Sequence, residues 1–311
     1  MAEKPPQSSN SRDPRFYRIF GLNIRSALAL PEVDEAIMAE TDVDIVLESL
    51  PSSLPQATDK GLRYQAARGQ LLLTVDGIAR YLISDGNRIG IDPFPGSDPS
   101  AIRLFLLGSV FGVLLHQREE LVLRASAIDI GGASVAFLGP PGIGKSTLAT
   151  ALVQKGYRLV SDELCLIRTE LDGRRLIEPA LPYVKLWPDS LRQLAMLPDG
   201  LAHIRKGLKK RIVPMNQSFA ATPLPIQRVY VLRSVLNDGV EIEKLDPPSA
   251  YAALEARIHL PPAIKGIGAE GTYRQMALSF SMSTGFSAVN RPRRKSLLKE
   301  MVARVEADFR T

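Results

Sequence analysis

The stretch Gly139-Pro140-Pro141-Gly142-Ile143-Gly144-Lys145-Ser146-Thr147 constrains this chain more than any other feature. It fits the pattern G-x-x-x-x-G-K-[ST], in which each fixed residue has a physical task. Gly139, Gly142 and Gly144 permit backbone turns that a side chain would block, so successive N–H groups can converge on phosphate oxygens. Lys145 brings a cation to the terminal phosphates, and the Ser146 hydroxyl is a hard oxygen donor suited to Mg²⁺. A helix starting here would aim its positive end at the same anion. A chance match in a chain this long arises in about one sequence in a hundred.

The flanks argue against chance. Ser134-Val135-Ala136-Phe137-Leu138 reads as a buried strand leading into the loop. Leu148, Ala149, Ala151, Leu152 and Val153 then supply a helical apolar face that stops at Gly156. Strand, glycine loop and helix come in the order the motif requires. All nine loop residues are therefore candidate nucleotide contacts, with ATP and Mg²⁺ as the expected cofactors, and Thr147 is expected to help cap the loop helix.

The chain has 311 residues, 45% hydrophobic and 23% charged, which is room for one large domain or two modest ones. The single Cys165 excludes an internal disulfide, and no Cys/His cluster has zinc spacing, so a cytoplasmic location is expected. Residues 1–14 are polar, lack an apolar signal core and read as a disordered tail. The apolar run 104–115 is too short to span a bilayer and reads as a buried core helix, so no membrane partner is expected. The net charge of +6 is concentrated at Arg205-Lys206 with Lys209-Lys210-Arg211, and at Arg291 with Arg293-Arg294-Lys295. Neither patch interleaves aromatic residues, so these read as solvated faces or contacts to phosphate or an acidic peptide, and no nucleic-acid partner is expected.

Short strand-like runs at 16–20, 43–47, 71–75 and 80–83 are punctuated by Asp76-Gly77, Asp85-Gly86 and Gly90, with one helix expected near 32–39. These make an α+β module over residues 15–98, closed by Pro95-Gly96-Ser97-Asp98-Pro99. A helix over 100–116 and a strand over 121–130 follow, and Gly131-Gly132 turns that strand back into the one before the loop. A doubly wound nucleotide fold would place a helix there instead. Further on, a strand pair is expected over 157–167, a helix at 189–195, a strand at 228–233, and helices at 249–257 and 295–309. The fold class is α/β with a mixed sheet, residues 99–311 forming the phosphate-loop core.

Asp162-Glu163 falls at a strand end, seventeen residues after Lys145. Acids in the first element after the loop helix can reach the γ-phosphate: one carboxylate could hold Mg²⁺ while the other accepts a proton from an attacking hydroxyl. The alternative is a solvated strand-end turn. No Asn-Lys-x-Asp is present, which argues against a GTPase switch.

With Leu123-Arg124-Ala125-Ser126-Ala127, the loop, and Gly156-Tyr157-Arg158-Leu159-Val160-Ser161-Asp162-Glu163 together, the chain resembles the HPr serine kinase/phosphorylase family, densely over residues 120–167. More narrowly it is similar to the HPr-kinase-like proteins of lasso-peptide biosynthesis, through Tyr17-Arg18-Ile19-Phe20-Gly21-Leu22, Tyr183-Val184-Lys185-Leu186-Trp187-Pro188-Asp189 and Arg291-Pro292. The resemblance implies a kinase core of the HPr kinase/PEP carboxykinase-like type that phosphorylates a serine hydroxyl on a peptide or small protein. It implies Asp162 as general base, Lys145 on the phosphates, and Ser146, Glu163 and Asp162 on the metal side.

The family commonly has His where this chain has Arg124, and a second Asp where it has Glu163. An arginine does not shuttle protons near neutral pH, so Arg124 reads either as a phosphate or carboxylate clamp or as a structural arginine paired to an acid. The glycine-rich C-terminal signature of the bifunctional enzymes has no copy here, so reverse phosphorolysis is not expected. Two other readings stay open: an HPr-type regulatory kinase, and a nucleotide-binding or ATPase protein that is no kinase. A homo-oligomer is also left open.

Overall fold

The computed structural model describes residues 14–205, 207–236, 238–257, 261–293 and 297–311, with backbone only at 261–263. The tail expected over 1–14 thus lies outside the described residues up to residue 13, as do Lys206, His259, Arg294 and Lys295.

Alternating burial builds the first sheet from β1 (Arg15–Ile19), β2 (Leu22–Ser26), β3 (Val43–Leu47), β4 (Asp59–Lys60), β5 (Tyr64–Ala67), β6 (Gln70–Val75), β7 (Ala79–Ser84) and β8 (Arg88–Pro93). In β7, for example, Ala79, Tyr81 and Ile83 are buried while their neighbours are partly exposed, the period of two that a one-sided sheet requires. The spatial order is β1-β2-β3-β8-β7-β6-β5-β4, antiparallel except for the parallel pairs β2–β3 and β3–β8.

The helix expected at 32–39 does not form. Ala36 instead donates its N–H to Phe16 at 2.7 Å and Glu35 bridges Tyr17, so this segment edges β1. Ile37 and Met38 stay exposed, leaving no apolar stripe that a helix could bury.

Asp98 caps the next helix by accepting the Ser100 N–H at 2.9 Å, with Pro99 at the first position. The helix runs as α1 (Pro99–Phe105), a π-helical segment (Leu106–Val110) and α2 (Phe111–Gln117). By length and composition it could cross a membrane, but Leu106, Val110, Phe111 and Leu114 pack in one core with Tyr17, Ile45 and Tyr81 of the first sheet.

The second sheet comprises nine strands and branches. The strand expected over 121–130 breaks into β9 (Leu121–Leu123) and β10 (Ser126–Asp129) at Arg124-Ala125. β10 turns back at Gly131-Gly132 into β11 (Ser134–Leu138), the hairpin expected before the loop. α3 (Lys145–Val153) follows, then β12 (Arg158–Asp162) and β13 (Cys165–Thr169). These last two do not pair with each other: β12 pairs with β10, and β13 with β9 and β14 (Arg175–Ile177).

β15 (Tyr183–Leu186), α4 (Pro188–Gln193) and β16 (Arg211–Pro214) come next, then the long β17 (Leu224–Val235), which joins the two arms of the sheet. β18 (Glu241–Lys244), α5 (Pro247–Glu255), α6 (Pro261–Ile267), α7 (Glu270–Ser283), β19 (Gly285–Pro292) and α8 (Leu298–Phe309) complete the chain. Along β11, Val135 and Phe137 pack with Leu148, Leu152 and Val305 on one side, while Ala136 and Leu138 pack with Leu254, Tyr273 and Phe280 on the other. β11 is covered on both faces, which is why its sequence is continuously apolar from Val135 to Leu138.

Candidate active site

Residues 139–144 form the turn between β11 and α3. Gly139, Gly142 and Gly144 have φ of 149°, 78° and 103°, values that side chains resist. A Cβ on Gly139 would meet Ile143 Cγ2 at 2.9 Å and the Leu232 carbonyl at 3.0 Å, whereas one on Gly142 or Gly144 would meet nothing within 4 Å. The loop is therefore packed at its start and open towards the cavity at its end. No side chain caps α3, leaving its first N–H groups available to an anion. Thr147 does not cap this helix either. Its hydroxyl donates to Ser190 Oγ at 2.9 Å, because the side chain lies at the α3–α4 contact.

Lys145 folds back over the loop, its Nζ donating to the carbonyls of Gly139 at 2.9 Å and Pro140 at 3.3 Å. Burial pulls its pKa down, as do the charges of Arg257, Arg124 and Lys210, against the pull of Asp162. The expected phosphate lysine and the expected base are thus brought into one electrostatic neighbourhood.

Asp162 is reached by two hydroxyls. Ser146 Oγ donates to its Oδ1 at 2.8 Å, and Ser126 Oγ donates to the same oxygen at 2.6 Å. Burial raises its pKa above the ordinary carboxylate value, and the adjacent Glu163 charge adds to that, while the two serines oppose it. A hydroxyl and a carboxylate in contact beside a phosphate loop are hard oxygen donors of the kind Mg²⁺ selects, so the residues fit the metal and the nucleotide expected here.

The chain bends beside this acid. Ser126 pairs with Asp162 in one arm of the sheet and Leu123 with Cys165 in the other, so Arg124-Ala125 and Glu163-Leu164 lie opposite each other where the ribbon passes between arms. Glu163 sits at φ 70° in a three-residue turn closed by Leu164 N–H to the Asp162 carbonyl at 3.0 Å. A non-glycine residue rarely takes this conformation, and here the bend enforces it.

Glu163 does not stand alone as a metal-side carboxylate. Lys185 Nζ lies 2.6 Å from its Oε2 and Lys210 Nζ 3.2 Å from its Oε1. Burial works against the carboxylate charge, but the two ammonium groups prevail and hold its pKa down to about 2. Sequence reasoning missed Lys185 as a site residue. The signal was a lone lysine among apolar neighbours on β15, where all four residues are buried. Lys210, read as part of a basic face, reaches Glu163.

These groups line one cavity of about 1090 Å³, with Arg124, Trp187 and Arg257 also on its wall. Among the described residues, seven lysines and arginines line it against three acids. Of the histidines read as structural or surface residues, His116 is buried and His203 is exposed. Burial pushes the Cys165 thiol up to about 12, which makes it inert as a nucleophile.

No family profile matches the chain. Over 86 residues it is 30% identical to an HPr kinase/phosphorylase of Prosthecochloris aestuarii, covering 28% of this chain and 25% of that protein. Over 49 residues it is 41% identical to the HPr kinase/phosphorylase of Caldanaerobacter subterraneus, 16% of each chain. The chain thus spans a quarter or less of the length of these curated relatives in the matched segments. The solved HPr(Ser) kinase/phosphatase of Coxiella burnetii aligns with 61% of this chain and 97% of its own at 15% identity, with a TM-score of 0.32 too low to support a structural argument. Over the matched segments, the sequence is related to the HPr kinase/phosphorylase family.

Proposed function

We propose that the chain is an ATP- and Mg²⁺-dependent kinase that phosphorylates a serine hydroxyl of a peptide or small protein. The acceptor implied by the narrower sequence resemblance is a lasso precursor peptide. In this reading residues 99–311 carry the transfer, residues 15–98 form an N-terminal module packed against them, and the enzyme works in the cytoplasm.

One observation carries the proposal: the phosphate-loop serine and a half-buried carboxylate with raised pKa are in direct contact, Ser146 Oγ to Asp162 Oδ1 at 2.8 Å. Glycine turns, the α3 N-terminus and Lys145 would hold the nucleotide phosphates, and Ser146 with Asp162 would hold the metal. When bound, ATP supplies the phosphoryl group and Mg²⁺ neutralises charge on it. Asp162 would accept the proton of the attacking serine hydroxyl, which requires the carboxylate in its ionised form. Lys145 would balance charge that develops on the transferred group. Lys185 and Lys210 would fix Glu163 beside Asp162, and Glu163 would join the metal side only by exchanging a lysine for the ion.

The test is transfer of one phosphate to serine-bearing candidate peptides with ATP and Mg²⁺, read by mass spectrometry. The wild type should add one phosphate, Lys145→Ala none, and Asp162→Asn should keep nucleotide binding while losing transfer by a factor of about 10² or more. Near wild-type transfer by Asp162→Asn refutes the base assignment. Nucleotide binding without transfer to any serine-bearing candidate favours the non-kinase reading.

A further inference from the structure

Two arginines of the cavity wall come from distant parts of the chain and are joined through the backbone. The N–H of Arg124, at the bend between β9 and β10, donates to the carbonyl of Arg257, just past α5, at 3.0 Å. Several arginines of this protein are neutralised by carboxylates, among them Arg25 by Asp44 at 2.6 Å, Arg103 by Glu32 at 2.7 Å and Arg168 by Glu178 at 2.7 Å. Among the described residues neither Arg124 nor Arg257 has a carboxylate partner. The Arg257 side chain donates to the Ala256 carbonyl at 2.6 Å. Both guanidinium groups line the cavity that contains Lys145 and Asp162, close enough to bear on the charge of Lys145.

Two arginines joined through the backbone in a cavity already rich in cations, with no carboxylate partner among the described residues, are a site that an anion would stabilise. The phosphate loop has its own donors for nucleotide phosphates, in its backbone N–H groups and Lys145. Arg124 lies two residues before the Ser126 that holds Asp162. An acceptor hydroxyl must come close to Asp162 for that residue to take its proton.

We propose that Arg124 and Arg257 form a clamp for an anionic group of the acceptor, a carboxylate or phosphate carried within reach of the hydroxyl to be phosphorylated. The proposal rests on the kinase reading and narrows its acceptor to a serine in acidic surroundings. Paired guanidinium forks offer parallel N–H donors that match a planar carboxylate or a phosphate, a fit that a lysine does not reproduce.

The test uses the full chain saturated with Mg²⁺ and a non-hydrolysable ATP analogue, so that the phosphate loop is filled. Two synthetic peptides of equal length, one with serine flanked by aspartates and one with serine flanked by asparagines, are titrated by calorimetry. The acidic peptide is expected to bind about tenfold tighter. Arg257→Gln should erase that preference and Arg257→Lys should restore part of it, each with nucleotide affinity and melting temperature close to wild type. Equal binding of the two peptides to the wild type, or a preference that survives in Arg257→Gln, overturns the clamp. If Arg257→Gln weakens the nucleotide as much as the peptide, the arginines serve nucleotide phosphates and the acceptor assignment falls. Loss of nucleotide binding by the wild type itself would instead defeat the underlying kinase reading.

Discussion

Lys185 Nζ lies 2.6 Å from Glu163 Oε2, joining a lysine that is 5% exposed to a glutamate that is 42% exposed at the cavity mouth. A buried ammonium is costly unless paired, and here the pairing also fixes the bend that carries Asp162. Glu163→Gln would leave Lys185 facing Lys210 with no anion between them. Because Glu163 is partly solvated, the expected loss is only about 1–3 kcal/mol in urea unfolding. Lys185→Met should cost less than Glu163→Gln, since it removes the buried charge together with its need for a partner.

The same pair has a pH signature. With its folded pKa held at about 2, below the ordinary glutamate value of about 4.3, Glu163 contributes stability that is fully present above the unfolded pKa. That contribution disappears as pH falls through the window between about 4.3 and about 2. Acid unfolding followed by circular dichroism should show a shallower decline across this window in Glu163→Gln than in the wild type. Identical slopes would mean that the lysines do not hold the carboxylate.

Asp162 shifts the other way, and its effect is on rate. As a base it works only when ionised, so kcat/KM should rise with pH through its folded pKa, and burial places that pKa above the ordinary aspartate value. Removing a hydrogen bond to the carboxylate should raise it further. Ser126→Ala is therefore expected to move the acid limb of the pH–rate profile to higher pH, leaving nucleotide affinity close to wild type. A limb that stays in place, or moves to lower pH, would separate Ser126 from the base.

Much of this site was legible because its parts are local. Glycines at 139, 142 and 144 mark the turn, and the hairpin at Gly131-Gly132 and the acids at 162–163 follow within a few elements. What escaped the sequence depends on distant partners. Lys185 takes its meaning from Glu163, 22 residues away, and nothing in the local pattern around it records that bond. The break at Arg124-Ala125 arises because two paired strands must pass between sheet arms, whereas the text of 121–130, with no Gly or Pro inside it, reads as one strand. α7 was overlooked, with Gly266, Gly268 and Gly271 interrupting the pattern around its start. The strand character of β19 likewise depends on pairing with β17, whose partner residues lie far back in the chain.

The loop's first glycine offers a sharper test than its position in the motif alone. Gly139→Ala places a Cβ 2.9 Å from Ile143 Cγ2 and 3.0 Å from the Leu232 carbonyl, at a φ of 149°. The backbone must shift, with a stability loss of about 1–3 kcal/mol and loss of nucleotide binding. At Gly142 the added methyl meets nothing within 4 Å, so only the positive φ of 78° resists it, at about 1 kcal/mol. Melting curves of both variants should therefore rank Gly139→Ala below Gly142→Ala, and the reverse order would contradict the packing at the start of the loop.

Trp187 is the single tryptophan and sits half-exposed on the cavity rim, so its fluorescence reports on this site alone. Titration with ATP and Mg²⁺ should change that emission in a saturable way, and Lys145→Ala should abolish the change over the same concentration range. Ligand that binds only the folded chain also stabilises it, by about 2.7 kcal/mol at a hundredfold excess over Kd. The emission change and the rise in unfolding free energy should yield one Kd for the wild type. If the emission responds in Lys145→Ala as it does in the wild type, the nucleotide is bound somewhere other than at the phosphate loop.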